Sequence, residues 1–162
     1  MAAFNQNTIY QVSGFSNPCI SGELVWNQAT YWNLAFTNQA GAPVDLTAAT
    51  INAQIVRREV SNLQDTRTGL SFSIADYSPT PTPITLNIVN LNASAGTFTL
   101  VIDDSTWSLV SSDPELEINA QNPVCFSGRI MVNFPAISGG NPADDAVIFL
   151  LFLVRSDGIV VV

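Results

Sequence analysis

The residues of this chain that can perform acid–base or metal chemistry are almost all carboxylates. Its 162 residues include thirteen aspartates and glutamates and five arginines, but neither lysine nor histidine. Histidine is the commonest general base and the commonest metal ligand, so its absence argues against histidine-assisted serine catalysis. The glycine-rich segments around Gly41 and Gly139-Gly140 also match no phosphate-binding loop.

Two carboxylates are enough for glycoside hydrolysis, so this chemistry stays open as a remote alternative. Aspartates also have structural uses, because they cap helices and accept hydrogen bonds from nearby backbone amides. We favour the structural roles and predict that the protein is not an enzyme and needs no cofactor. The acids considered for hydrolysis are Asp45, Asp76, Asp103, Asp104, Glu115 and Glu117.

Three carboxylates are spaced two residues apart at Asp113, Glu115 and Glu117. In extended backbone they would share one face, and such a face can bind calcium through its oxygens. A solvated strand edge that repels other strands explains the same spacing without a metal. We favour this second interpretation and predict no metal site.

The cysteines and arginines are dispersed along the chain. Cys19 and Cys125 lack the spacing of a zinc site, and two free buried thiols are favoured over a disulfide between them. The net charge is −8, and nucleic-acid binding needs a clustered basic patch. We therefore expect no nucleic-acid partner. The arginines are Arg57, Arg58, Arg67, Arg129 and Arg155.

Three aromatic residues, Tyr31, Tyr77 and Trp107, can line a sugar-binding groove if they are exposed. Packing in the core or at a hinge is the favoured role for them. A glycan receptor is thus the weaker of the partner hypotheses.

Charged residues make up 11% of the chain, less than half the usual share of about 25%. Such a composition suits a subunit with extensive protein contacts, because interface cores are depleted in charge; a low-charge secreted domain is the alternative.

The N-terminus lacks the features of a signal peptide. The apolar run Ala146 to Val154 is too short for a membrane helix, so we predict no membrane contact and a central strand buried on both faces.

Alternation of apolar and polar residues predicts β-strands along most of the chain. Residues 30–58 are interpreted as strand, turn, strand within a larger antiparallel sheet. Further strands are predicted at 70–75, 84–88, 98–102, 124–134, 146–155 and 158–162. We predict an all-β, antiparallel immunoglobulin-like β-sandwich of about eight strands.

Two polar segments have predicted structural roles. Asp103 to Thr106 has the composition of a helix N-cap, so a short helical turn is expected to start there. In the turn between residues 41 and 47, Asp45 is expected to bond to backbone amides and to Thr47. The predicted structural turn consists of Gly41, Pro43, Asp45 and Thr47.

Residues 1–22 are predicted to form an extended N-terminal arm, and residues 23–162 a single β-sandwich domain. A disordered terminus with one short edge strand near Leu24 is the alternative for the arm. Prolines at every second position make residues 77–83 a stiff connector. Apolar side chains in the arm, the connector and the C-terminus are predicted partner contacts: Phe4, Ile9, Tyr10, Phe15, Tyr77, Pro81, Val160 and Val162.

Several motifs together resemble a known family. An apolar strand follows Gln28-Ala29-Thr30 and ends at Phe36; it is followed by G-x-P-V-D-L-T at 41–47 and I-x-A-Q-I-x-R at 51–57. This order resembles the N-terminal β-sandwich module of tailed-phage virion proteins of the upper-baseplate type. Residues 84–86, 96–102 and 128–132 lie where that family has later strands, so the resemblance spans residues 23–155.

The resemblance implies a non-enzymatic structural subunit of a bacteriophage virion. Such a subunit would be made in the host bacterial cytoplasm and packed against copies of itself and other virion proteins. The tail or baseplate is the favoured position. A capsid decoration (cement) protein and a carbohydrate-binding module of a receptor-binding fibre are the alternatives.

Overall fold

A computed structural model describes residues 10–11, 17–38, 40–58, 63–64, 71–72, 81–118, 123–136 and 144–155. These residues form a six-stranded and a three-stranded sheet, with a separate two-stranded ribbon and two short helices. The predicted all-β sandwich is confirmed. The elements are β1 Tyr10–Gln11, β2 Pro18–Leu24, β3 Thr30–Ala35, β4 Thr50–Arg57, β5 Leu63–Gln64, β6 Ser71–Phe72, β7 Ile84–Thr85, β8 Asn87–Asn92, β9 Thr97–Ile102, α1 Asp104–Val110, α2 Pro114–Ile118, β10 Val124–Phe134 and β11 Asp144–Val154.

The large sheet has the strand order β1-β2-β11-β10-β4-β7. Its strands are antiparallel except for β2 and β11, which run parallel. The longest pairing joins β10 to β11 from Val124–Val154 to Phe134–Asp144. Glycine is required at Gly128 of β10, because a Cβ there would lie 1.8 Å from the Gln54 carbonyl oxygen of β4.

The small sheet has the order β3-β9-β8. Strands β8 and β9 form a hairpin, and its turn ends at Gly96 with φ +67°. A Cβ on Gly96 would lie 2.5 Å from the Val44 carbonyl oxygen, so the hairpin turn and the segment after β3 pack in direct contact. This contact requires glycine for both its backbone angle and its size.

At two places the chain passes from one sheet to the other, although the alternating pattern predicted that it would stay within one sheet or one strand. β3 belongs to the small sheet and β4 to the large one, so the predicted strand–turn–strand within one sheet is wrong. The predicted strand at 84–88 is also divided, since β7 pairs with β4 and β8 pairs with β9. Between them, Leu86 N donates a hydrogen bond to Ala53 O at 2.9 Å.

The core lies between the two sheets and is filled by aromatic and branched side chains. Trp32 of β3 stacks on Phe152 of β11 with ring centroids 5.1 Å apart. Phe98 of β9 and Phe126 of β10 are both fully buried. Burying one such side chain contributes about 1.5–3 kcal/mol to folding, so this layer is the main stabilising element of the sandwich.

Three sequence interpretations differ from the structure. The predicted arm boundary at residue 22 falls inside β2, which pairs with β11 over its last six residues. β11 has one buried face and one partly exposed face, so the prediction of burial on both faces is wrong. Residues 63–64, where no strand was predicted, form β5, which pairs with β6.

Residues 113–117 are not extended, because Pro114–Ile118 forms helix α2. The interpretation of a solvated strand edge is therefore wrong, and Glu115 is 2% exposed. Proline suits the first turn of a helix, since its missing N–H would have no helical partner there. Asp113 precedes it and accepts a hydrogen bond from Glu115 N at 3.0 Å.

Candidate interaction surface

The outward side of the large sheet carries an apolar row along β11. Its residues alternate with Ile148, Leu150, Phe152 and Val154, which are buried in the core. Leu151 is 37% exposed and Leu153 36% exposed, although both lie near the middle of a six-stranded sheet. The row consists of Val147, Phe149, Leu151 and Leu153, and we call it the outer apolar row.

The strand register places residues of mixed character beside this row. Phe149 lies between Cys19 of β2 and Arg129 of β10, and Leu151 lies between Ser21 and Ser127. A shallow cavity of about 460 Å³ opens over this area. It is lined by Cys19, Val56, Arg58, Ser127, Gly128, Arg129, Phe149, Leu150 and Leu151.

Opposite charges stand at the two ends of the outer apolar row. At one end is Asp145, whose Oδ1 accepts a hydrogen bond from Asn133 Nδ2 at 2.7 Å. At the other end is Arg155, whose Nε lies 3.1 Å from Glu23 Oε1 in an exposed ion pair. The surface is therefore apolar in the middle, with an acid at one end and a base at the other.

Cys19 and Cys125 lie on this same outward side, and both are free thiols. Cys19 is opposite Phe149 and Cys125 is opposite Leu153, so β11 separates them. Burial raises the pKa of both thiols, and Arg58 partly counters this effect at Cys125. Both thiols are free, as predicted, but only Cys19 is buried, whereas Cys125 is partly buried.

The outward side of the small sheet is shallowly concave and carries polar side chains together with the exposed Tyr31 and Val89. Thr99 Oγ1 donates a hydrogen bond to Asn33 Oδ1 at 2.8 Å across β9 and β3. A cavity of about 560 Å³ there is lined by Asn33, Leu34, Ala35, Asn90, Thr97, Phe98 and Thr99. Tyr31 is 46% exposed on β3.

Trp107 does not contribute to that face, because it is 2% exposed in helix α1. Its Nε1 donates a hydrogen bond to Gln28 O at 2.8 Å, and its ring lies 5.6 Å from that of Trp26. The preferred prediction of core packing holds for this residue. Of the three aromatics considered for sugar binding, Tyr77 lies outside the described residues.

A buried ion pair closes one end of the sandwich. Arg57 of β4 is 3% exposed, and its Nε lies 3.0 Å from the Asp113 carboxylate. This pair was not predicted from the sequence. The signal was present, because Arg57 continues the inward alternation of Ala53 and Ile55.

Two aspartates hold turns by local hydrogen bonds. Asp45 Oδ1 accepts bonds from Thr47 N at 2.9 Å and Thr47 Oγ1 at 2.6 Å, and these bonds lower the pKa of Asp45. Asp103 caps α1 by accepting from Thr106 N at 3.0 Å. Its pKa is held well below the usual value, mainly by the Ser105 hydroxyl and then by the Thr106 amide. Both carboxylates thus have structural partners.

The turn from Gly41 to Thr47 is tied to the β8–β9 hairpin. Gly41 has φ +80°, which favours glycine, and Pro43 forms an isolated bridge with Thr37. Leu46 N donates to Ala93 O at 2.9 Å. The turn therefore connects the sheets and also rests on the small one.

The predicted partner contacts are mostly outside the described residues. Tyr10 is in β1, opposite Cys19. Pro81 lines a cavity of about 210 Å³ together with Arg57 and Asp113. The residues outside the described part of the chain are Phe4, Ile9, Phe15, Tyr77, Val160 and Val162. None of these eight residues belongs to the outer apolar row.

Among the residues that the structure describes, no group of three or more acidic, cysteine or histidine side chains is arranged to hold a metal. In that same part of the chain, no helix has the length and apolarity needed to cross a membrane. No protein-family model matches the chain, and none of the curated proteins matches it.

Proposed function

We propose that the protein is a non-enzymatic structural subunit of a tailed-bacteriophage virion, made in the bacterial host and built into the tail or baseplate. The observation that carries the proposal is the outer apolar row of β11, in which Leu151 and Leu153 are exposed on the outward side of a six-stranded sheet. A contiguous apolar surface of this kind marks a protein contact site on a soluble domain.

Two further properties support assembly as the function. The chain has few charges for its length, and charge is depleted in the cores of interfaces. The carboxylates Asp45 and Asp103 are engaged in turn and cap hydrogen bonds, which explains them without catalysis. The virion part of the proposal comes from the motif resemblance at residues 41–47 and 51–57.

The position in the particle is tested by immunogold labelling of purified virions with antibodies raised against this chain. Label at the tail end supports the baseplate assignment, whereas label over the head supports a capsid decoration protein. The background labelling is measured on particles that lack this chain, from a strain in which its gene is deleted. Absence of the chain from purified particles by mass spectrometry would overturn the proposal.

A carbohydrate-binding module is the second candidate, and it is favoured by the exposed Tyr31 beside the polar groove of the small sheet. A glycan array probed with the protein tests it. Binding that is lost in Tyr31→Ala but kept in Trp107→Phe would support this function, because Trp107 is buried. An array without any bound glycan would remove it.

A further inference from the structure

Two exposed arginines on the outward side of the large sheet line one cavity. Arg58 directly follows β4 and Arg129 lies in β10, and both border the cavity of about 460 Å³ over these strands. We call them the cavity arginines. We infer that this cavity binds an organic dianion, a ligand with two acidic groups and an apolar body between them. Such a ligand site goes beyond the proposed function and does not depend on it.

The positive charge of the cavity arginines is not neutralised by the described residues of the chain. The other two arginines in those residues form ion pairs, Arg57 with Asp113 and Arg155 with Glu23. No described acidic side chain pairs with either cavity arginine, and none lines the cavity. Because the whole chain has a net charge of −8, the cavity is a local basic site on an acidic protein. A cleft lined by charges of one sign attracts ligands of the opposite sign.

The strand register places the two cavity arginines at separate heights along the sheet. Arg129 is opposite Gln54 of β4, whereas Arg58 N donates a hydrogen bond to Cys125 O of β10. Residues 125 and 129 are four positions apart on β10, which is about 14 Å at the usual rise of a strand. Two acidic groups at opposite ends of one ligand match this separation.

The residues halfway between the cavity arginines provide an apolar contact. Ser127 of β10 lies between Val56 of β4 and Leu151 of β11, and all three line the cavity. Val56 and Ser127 are half-buried, and Leu151 is 37% exposed. The body of the ligand therefore contacts Val56 and Leu151, with the Ser127 hydroxyl as a single hydrogen-bonding group. Phe149 also borders the cavity, but it has an interaction of its own in the folded chain, so no binding role is assigned to it.

The chemistry and the size of the cavity both suit an organic anion. A guanidinium group can donate two parallel hydrogen bonds to one carboxylate. Burial raises the pKa of the Cys125 thiol and the charge of Arg58 partly counters this effect, so Arg58 acts over β10. The cavity volume falls within the range of about 300–1,000 Å³ that is typical of small-ligand sites. Nucleic acid does not fit the site, because its binding needs a longer basic track than two arginines.

Isothermal titration of the purified full chain with decanedioate, a dicarboxylate with an apolar chain, tests the inference. We expect the native protein to bind it, and Arg58→Gln and Arg129→Gln each to bind it about fivefold more weakly, the usual upper value for one exposed ion pair. Decanoate, which has a single carboxylate, should bind the native protein about fivefold more weakly than decanedioate. Arg155→Gln is the matched control, because Arg155 pairs with Glu23 and does not line the cavity.

A second probe distinguishes a free organic acid from an acidic segment of another protein. The probe is the peptide Asp-Ser-Leu-Ser-Asp, acetylated and amidated at its ends. In extended backbone its two acids and its leucine share one face, and the acids are about 14 Å apart. Tighter binding of the peptide than of decanedioate assigns the cavity to a protein segment, whereas tighter binding of decanedioate assigns it to a free acid. In both cases the two cavity arginines are expected to be required.

Two results would overturn the inference. The first is that neither probe binds the native protein at about 10 mM. The second is that Arg155→Gln weakens binding as much as the two cavity variants do, because the site would then not be at the cavity. Thermal unfolding of each variant checks that it is folded. A chain that binds the probes but is absent from virions overturns the proposed function alone, and a virion chain that binds neither probe overturns this inference alone.

Discussion

The two outward faces of the sandwich differ in how their surfaces are completed. On the small sheet, Thr99 and Asn33 bond to each other across the strands at 2.8 Å, and the face is largely polar. On the large sheet, the corresponding positions of β11 are Phe149, Leu151 and Leu153. The small sheet joins polar side chains of neighbouring strands by a hydrogen bond and exposes Tyr31 and Val89 between them, whereas the large sheet carries a continuous apolar row along β11.

The low charge of the chain does not indicate which face is apolar until the strand pairing is known. The 11% of charged residues is a property of the whole chain and does not favour either face. The strand register assigns four successive apolar positions of β11 to one outward row. The register therefore assigns these apolar residues to one specific surface, which the composition alone does not identify.

The largest expected effect tests whether the outer apolar row is outside the core. Leu150→Ala should lower the free energy of unfolding by about 3 kcal/mol, because it leaves a cavity between the sheets. Leu151→Ala should lower it by less than about 1 kcal/mol at concentrations where the protein is monomeric. Urea unfolding monitored by tryptophan fluorescence compares the two. Equal losses would mean that both faces of β11 contribute to the core.

The second effect concerns the support of the small sheet by Asp103. Asn87 Nδ2 of β8 donates to Asp103 Oδ2 at 2.6 Å, while Asp103 Oδ1 caps α1. Asp103→Ala should therefore cost about 1–2 kcal/mol, as expected for loss of an N-cap. Asp104→Ala, next in the chain and in the first helical turn, is the matched control. An equal loss in both variants would indicate a general charge effect instead of a cap.

The same aspartate predicts a pH dependence. Hydrogen bonds from Ser105 and Thr106 lower the pKa of Asp103 in the folded protein, so the folded state binds fewer protons than the unfolded state. Its contribution is present above the usual pKa of 3.8 and is lost as the pH falls towards the lower folded pKa. Thermal unfolding between neutral pH and pH about 3 should show a smaller decrease for Asp103→Asn than for the native protein.

A third and smaller effect tests the pairing on the polar face. Asn33→Ala and Thr99→Val should each cost about 1 kcal/mol, and the double variant should cost less than their sum because they remove one shared hydrogen bond. Chemical denaturation of the four proteins gives the coupling energy. Full additivity would show that the two side chains do not depend on each other.

The smallest expected effect is on the alkylation rate of Cys125. The free energy of unfolding does not change. Its pKa is raised by burial, so alkylation by iodoacetamide should be about tenfold slower in the folded than in the unfolded protein. Mass spectrometry follows the reaction of the folded protein and of the protein unfolded in urea. Equal rates in the two states would show that burial does not protect this thiol.

The sequence predicted the fold class and most strands because alternation is a local property. Trp32 and Leu34 of β3 and Phe98 and Leu100 of β9 are buried as the pattern indicated. The pattern did not reveal that β3 and β4 lie in different sheets. Pairing between distant strands depends on contacts across the whole core, and a period of two residues contains no information about them.

The outer apolar row was not predicted, because its residues have the same apolar character as the buried residues with which they alternate. From Ala146 to Val154 every residue is apolar, so no polar residue marked the outward positions and burial on both faces was the natural interpretation.

Helix α2 was missed for a different reason. Asp113 and Pro114 have the residue types of a helix start, but the regular spacing of the acids suggested extended backbone.

The parallel pairing of β2 with β11 has a consequence for the synthesis of the protein. The ribosome releases residues 18–24 well before residues 149–154, with which they pair. Until then β2 has no neighbour in the middle of the sheet, and β10 has only β4. Such distant pairing slows folding and leaves strand edges open to association. The facing edges of β2 and β10 therefore stay open until β11, the strand that lies between them, has been synthesised.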